Sequence, residues 1–194
     1  MNVFLQTSRL ALSAMTEQDA DFIRTLYDDV RLFTYESEIP TRDRVEKQFF
    51  FYLEEAKKLP SDGAIRFIIR HQSQAIGQVQ LTCNWPAVGE WELGYSLQPT
   101  YWRQGYGKEA VAAILIYAFE ELHIHKLMAF INAENVGSVS LAQSVGMVQE
   151  GHMREARWIR GTFQDEKVFA MLEADYQKAK EQLKRLIHEH PRNA

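Results

Sequence analysis

This sequence predicts an α/β fold in a single domain, on three observations. Strand-like alternation and helical periodicity take turns along the whole chain. No Pro/Gly/Ser-rich linker and no internal repeat divides its 194 residues. A glycine-containing loop, Arg103-Gln104-Gly105-Tyr106-Gly107-Lys108, joins a strand to the helix that holds the longest apolar stretch.

The elements follow in order. Residues 9–15 alternate as a first strand. Thr16 is an N-cap candidate with Asp19 in a box-like position, so a helix follows, its apolar face running through Leu26 and Val30. The aromatic and acidic segment 32–40 interrupts it. Thr41 starts a second helix carrying Val45, Phe49, Tyr52, Leu53 and Ala56, ending before Pro60. Residues 64–70 and 76–82 flank a turn-rich tetrapeptide and read as a hairpin. Gly77 marks a bulge or a close backbone approach. Residues 86–89 form a turn and 90–97 a strand. A helix over 108–122, a strand over 126–133 and a short helix over 138–145 come next, the last closed by Gly146. Residues 168–172 read as a final strand. A charged helix from about 173 to 189 completes the chain, its part from Lys178 onward expected to be solvated or to touch another subunit.

The composition, 46% hydrophobic and 25% charged, is that of an ordinary globular domain. A formal net charge of -4 gives no general polyanion-binding surface, so no nucleic-acid partner is expected. Cys83 is the only cysteine; it permits no internal disulfide and no zinc knuckle, and it points to a reducing, cytoplasmic compartment. On this view Cys83 is a buried strand residue. His123 and His125 are two apart, which does not place them on one helical face, so no metal site is expected. The N-terminus lacks the pattern of a signal peptide, and the longest apolar stretch, 110–119, is about half of the ~20 residues a membrane span needs. A soluble monomer or homodimer is the expectation.

The glycine loop carries the chemistry. Glycines let backbone amides turn inward, and a following helix N-terminus adds partial positive charge, so the loop makes a cradle for phosphate oxygens. Taken alone, Gly105-x-Gly107-x-x-Ala110 also fits a dinucleotide fingerprint, with Glu134 as the ribose acid. Against that, seven residues separate Leu97 from Gly105, whereas a dinucleotide-binding unit has its glycines in the first turn after the strand. A loop shaped only for tight packing is the third reading.

Trp102-Arg-Gln-Gly-Tyr-Gly-Lys-Glu-Ala110 resembles the pyrophosphate loop of the GNAT superfamily of acyl-CoA N-acyltransferases. The likeness runs in order from about residue 7 to 172, through Thr7-Ser-Arg-Leu-x-Leu12, Ile76-Gly77, Glu92-Leu-Gly-Tyr95, Asn135-x-x-Ser138, Gly146-Met147, Glu150-Gly151 and Gly161-x-x-x-Asp165. The branch it resembles includes the enzymes that acetylate N-termini of ribosomal proteins. This resemblance implies a mixed, mostly antiparallel sheet splayed between its fourth and fifth strands, flanked by helices, within one domain over 1–194. It implies acetyl-CoA as co-substrate, its pantetheine arm along Tyr95, Ser96 and Leu97, its pyrophosphate on the amides from Arg103 to Lys108, and Asn135 reaching the arm. Two departures stand out. Trp102 occupies a position often Gln or Arg, which the branch frequently makes aromatic. Ala142 stands where many members carry a Tyr general acid, leaving Ser138 as the nearest substitute.

The reaction needs a neutral amine and a proton for the thiolate. At pH 7 about 10% of an α-amine is neutral but less than ~0.1% of a lysine amine, a gap of roughly 3.5 kcal/mol. A weak or water-relayed base therefore suffices for a protein N-terminus. Glu92 is the base candidate, acting through water from the strand face shared with Gly94 and Ser96, or else a solvated or salt-bridged strand residue. Ser138 is an acid candidate, or else a helix N-terminal serine that bonds nearby amides. Glu36 and Glu38, in the loop that lines the acceptor side in the family, are alternative bases or attract a cationic amine. Trp158 lines the acceptor cleft or caps the core edge. The implied activity is direct acetyl transfer to an amine, of a protein N-terminus or a small molecule; a non-catalytic acyl-CoA-binding module is the alternative that the missing Tyr suggests.

Overall fold

The computed structural model describes residues 3–58 and 63–188. β1 (Phe4–Gln6) and β2 (Leu10–Ala14) pair antiparallel. The Asp19 carboxylate then accepts from the Thr16 amide at 2.8 Å, as the box-like spacing predicts, and opens α1 (Ala20–Tyr27) through a 3-10 turn. Val30 does not continue that helix. It sits exposed in a second 3-10 turn, because the Asp29 carboxylate accepts from the Arg31 amide and starts a new turn. Thr41 caps α2 (Arg42–Glu55), its hydroxyl accepting from the Arg44 amide. Ala56 falls in the 3-10 turn beyond α2, and Pro60 lies outside the described residues.

β3 (Ala64–His71) and β4 (Gln74–Trp85) form the expected hairpin around Gln72 and Ser73. Both have left-handed φ, 49° and 68°, which matches the twist of a two-residue hairpin turn. Gly77 is a close approach: a Cβ there would lie 2.4 Å from the Ser96 carbonyl oxygen. β5 (Glu90–Leu97), α3 (Tyr106–Glu120), β6 (Lys126–Asn132) and α4 (Val136–Ser144) keep the expected order with shifted ends. Gly146, at φ 90°, ends the segment after α4.

β7 (Val148–Ile159) and β8 (Thr162–Leu172) make a long hairpin of which only the last five residues read as strand. β7 is an almost wholly exposed edge, and its ladder slips between Gln149 and Gly151 and between Met153 and Arg157, so no period-two pattern survives.

The eight strands form one sheet in the order β1-β2-β3-β4-β5-β6-β8-β7. β5 and β6 are its parallel pair, in register only from Glu90↔Lys126 to Glu92↔Met128. Beyond Glu92 they part. This is the expected splay, one strand later in the count because of the short β1.

The two faces of the sheet differ. Leu10, Leu12, Phe67, Ile69, Val79, Leu81 and Leu93 pack under α3, while Met15 and Ile68 pack under Ile23, Val45 and Phe49 of α1 and α2. α5 (Glu173–His188) is not a solvated tail. Tyr176 stacks on Phe119 of α3 with ring centroids 4.9 Å apart, and Leu183 is fully buried, so this helix roofs the core.

Candidate active site

The loop after β5 is tied down at both ends. Trp102 donates its indole N–H to the Leu97 carbonyl at 2.7 Å, and Gln104 donates to the Thr100 carbonyl at 2.8 Å. Arg103 and Gly105 take left-handed φ, 58° and 82°. The Glu109 amide is the first of α3 to bond back, to the Gly105 carbonyl at 3.1 Å, which leaves the amides of Tyr106, Gly107 and Lys108 without intrahelical partners. Three free N–H groups at the positive end of a fifteen-residue helix fit a pyrophosphate. The Tyr106 side chain is buried and turns away from solvent, against His71 and Tyr101.

Where β5 leaves β6, a cavity of about 550 Å³ opens between the sheet, the loop after α1 and the start of α4. Its walls include Glu36, Glu38, Glu92, Tyr95, Ser96, Asn135 and Ser138. Leu97 is buried beside it, and the loop of residues 103–108 lies outside its lining. Trp158 is not on these walls. It lies within β7, half-exposed, edge-on to Phe163 at 4.7 Å, because the hairpin turns that face outward.

Glu92 shares the cavity face with Gly94 and Ser96 and accepts a hydrogen bond from the Asn84 side-chain Nδ2 at 3.0 Å. Ser138 is not the residue that caps α4. Asn135 is, its carboxamide oxygen accepting from the Ser138 amide at 3.1 Å, which leaves the Ser138 hydroxyl without a partner among the described residues. Ala142 is buried in α4 and offers no proton. A phenol stands nearby all the same: the Tyr95 hydroxyl donates to the Ser138 carbonyl at 3.4 Å. Burial pushes its pKa up, against the pull of that hydrogen bond, so it stays protonated.

The cavity acids of the loop after α1 are partly neutralised. Arg44 on α2 holds Glu38 at 2.6 Å. Arg157 on β7 bonds the buried Glu166 and faces Glu36 at 4.0 Å. Desolvation raises the Glu36 pKa, Arg157 opposes that and Glu166 adds to it. Gln78 and Gln80 of β4 also reach the cavity, as do Arg44 and Arg157. The sequence alone does not single out these four or the Tyr95 hydroxyl. Period-two alternation on β4, opposite Ser96 and Gly94, was the signal for the glutamines; for the arginines, which come from α2 and the edge strand, there was none.

Among the described residues no group of three potential metal ligands converges, and no helix is long and apolar enough to cross a membrane. Cys83 is half-buried on β4.

A family model described as an acetyltransferase (GNAT) domain matches residues 9–148. An uncharacterized N-acetyltransferase, p20, of Bacillus licheniformis is 28% identical over 179 residues, 89% of this chain and 97% of its own. Spermidine N(1)-acetyltransferase of Vibrio cholerae is 28% identical over 170 residues, 87% of this chain and 96% of its own. The crystal structure of spermidine N-acetyltransferase from Vibrio cholerae in complex with CoA and spermine superposes with a TM-score of 0.78 at 26% identity, covering 88% of this chain and 99% of that one. These relatives are named for spermidine or for no particular acceptor, not for ribosomal proteins. The match supports acyl-CoA, not a dinucleotide, as the co-substrate. Matched over most of its length by that model, the chain belongs to the GNAT family of acetyltransferases and is an acetyl-CoA-dependent N-acetyltransferase.

Proposed function

We propose that this enzyme acetylates a primary amine of a small molecule by direct transfer in a ternary complex. The observation that carries the reading is the cavity at the β5–β6 splay, with the Glu92 carboxylate on its wall and room for a compact acceptor. The donor's pyrophosphate takes the free amides at the start of α3, and its arm follows residues 95–97 into the splay. Glu92 draws a proton from the incoming amine through water. Tyr95, with Ser138 beside it, stands ready to protonate the departing sulfur, which needs only modest help for a thiol of pKa ~8.5. The likeness to spermidine acetyltransferases supports the choice of a small amine.

A second acceptor, the α-amine of a protein N-terminus, is favoured by one observation. Glu38 is held by Arg44 and Glu36 faces Arg157, so Glu92 is the wall carboxylate without a cationic partner among the described residues. An acceptor with one positive charge suits that arrangement better than a polyamine, which asks for several free carboxylates. Incubation with acetyl-CoA and spermidine, a diamine, amino acids and short peptides, followed by mass analysis, tests both readings. Acetylated small amines bear out the first, acetylation of peptide N-termini alone the second, and no acetamide from any of them contradicts both.

A further inference from the structure

Gln80 stands on β4 opposite Gly94 of β5, on the cavity wall, and its surroundings fix which way its carboxamide faces. Arg66 Nη2 donates to Gln80 Oε1 at 3.2 Å. A guanidinium accepts nothing, so the carboxamide oxygen must face Arg66 and the NH2 group must face away. Away means over Gly94, where a Cβ would lie 2.7 Å from Gln80 Nε2. Gly94 does not have left-handed φ, so glycine is needed here for space and not for backbone freedom. Arg66 itself is 2% exposed, lies 4.1 Å from the centre of the Tyr52 ring, and has no hydrogen-bond partner at Nε or Nη1. A buried cation thus presses on the oxygen end of an amide whose N–H groups project across β5. Gly94 follows Glu92 by two residues, at the point where β5 has just left β6.

We infer that Gln80 Nε2 is a catalytic donor to the thioester carbonyl oxygen of acetyl-CoA, and that Arg66 is the positioning residue that orients and polarises it. The inference rests on the proposed course of the donor arm along residues 95–97. As the amine nitrogen attacks, the C–N bond forms and the carbonyl π pair moves onto oxygen, where the Gln80 N–H meets the growing charge. The pair then returns, the C–S bond breaks, and the electrons leave on sulfur. The proton lost by nitrogen through Glu92 is, in net, the one gained by sulfur, so acetamide and free CoA thiol result. A fixed donor that already meets the carbonyl oxygen and bonds more strongly as charge develops acts more on the rate than on ground-state binding. A neighbouring desolvated cation strengthens such a donor.

The test compares Gln80→Met, Gln80→Glu and Gly94→Ala with wild type. Gln80→Glu keeps the packing and pairs with Arg66 but has no N–H to give, so it serves if Gln80→Met does not fold. Each variant should lower kcat roughly 10²-fold, the scale of one lost oxyanion donor. The calorimetric Kd for acetyl-CoA should change by less than about threefold. Gly94→Ala keeps the glutamine but fills the space its amide needs, so the double variant with Gln80→Met should be no slower than either single one. Infrared spectra of bound carbonyl-labelled acetyl-CoA provide a readout without turnover: the C=O stretch should rise in every variant as the hydrogen bond is lost. A kcat within about threefold of wild type in folded Gln80→Glu, or an unchanged C=O stretch, overturns the role of Gln80. If the stretch is unchanged while Gly107→Asp still weakens acetyl-CoA binding, Gln80 alone is rejected; if Gly107→Asp has no effect either, the placement of the donor falls with it.

Discussion

Arg9 and Glu109 lie 100 residues apart in sequence and form a largely buried ion pair, Nε to Oε2 at 2.7 Å. The other oxygen of the same carboxylate accepts from the Thr7 hydroxyl at 2.5 Å and the Arg9 amide at 2.9 Å. Arg9 Nη1 donates to the Gln104 carbonyl at 3.0 Å, and its guanidinium lies 4.5 Å from the Tyr106 ring centre. The turn before β2 therefore braces the glycine loop from behind, which gives Thr7-Ser8-Arg9 a structural role in holding that loop.

Removing this brace should act through the phosphates of the donor. For Arg9→Gln we expect kcat/KM with acetyl-CoA to fall about tenfold, ~1.4 kcal/mol. With S-acetylpantetheine, which has no pyrophosphate, it should change little. Glu109, left buried without its cation, should also cost about 3 kcal/mol of stability, measured by denaturant unfolding. Equal losses with both donors would mean that Arg9 holds the fold and not the loop.

Replacing Glu92 by Gln keeps the size and the Asn84 contact while removing the proposed base. A general base contributes roughly 10²–10⁴ in rate, so kcat should fall within that range while acetyl-CoA affinity stays the same. A variant with wild-type kcat would show Glu92 to be only a strand residue partnered by Asn84.

If Glu38 meets the acceptor, as proposed, Arg44 sets how many negative charges the acceptor encounters. Arg44→Gln frees Glu38 from its 2.6 Å pair. Exposed pairs of this kind are worth about 0.2–1 kcal/mol, so KM for a diamine should drop about 1.4- to fivefold at low salt while KM for a monoamine holds. The same KM ratio in both proteins would remove Glu38 from acceptor binding.

The docking of α5 should be sensitive to acid. Tyr176 donates to Glu120 Oε1 at 2.7 Å and Lys180 pairs with the same oxygen at 2.6 Å. The Lys180 and Tyr176 hydrogen bonds, in that order, pull the Glu120 pKa below the ordinary 4.5. The unfolded chain therefore binds that proton more readily than the folded one. The contribution is complete above about pH 4.5 and is lost as pH falls through the lower folded value. Glu120→Gln should flatten the fall in Tm over that acid range, and Tyr176→Ala should cost about 3–5 kcal/mol at neutral pH. An unaltered acid limb in Glu120→Gln would contradict the linkage.

Much of this was legible because local chemistry and tertiary role agree. Thr16 with Asp19, Thr41, Gly77, Gly105 and Gly146 each mark a cap, a close approach or a left-handed turn that the backbone requires on its own. β7 was not legible: an exposed edge with slipped register has no hydrophobic alternation to read. The charge of α5 reads as solvated; Tyr176 and Leu183, seven residues apart, fall on one helical face, but nothing local says that this face meets α3. In the cavity, Glu92 could be picked out on the cleft strand, and Glu36 and Glu38 in the loop between α1 and α2 through the family resemblance. Arg44, Arg157 and the Arg66–Gln80 contact could not, since each depends on which elements meet across the sheet.

The central claim, that the amides of the glycine loop seat acetyl-CoA, is met most directly by calorimetric titration of acetyl-CoA into wild type and Gly107→Asp. A carboxylate at position 107 would stand among the free amides of α3 and repel a pyrophosphate. Its Cβ would come 3.1 Å from Leu141 Cδ1, the end of a flexible side chain that can give. We expect saturable binding to wild type and at least about tenfold weaker binding to the folded variant, ~1.4 kcal/mol or more. Equal affinity in the two proteins would contradict the account.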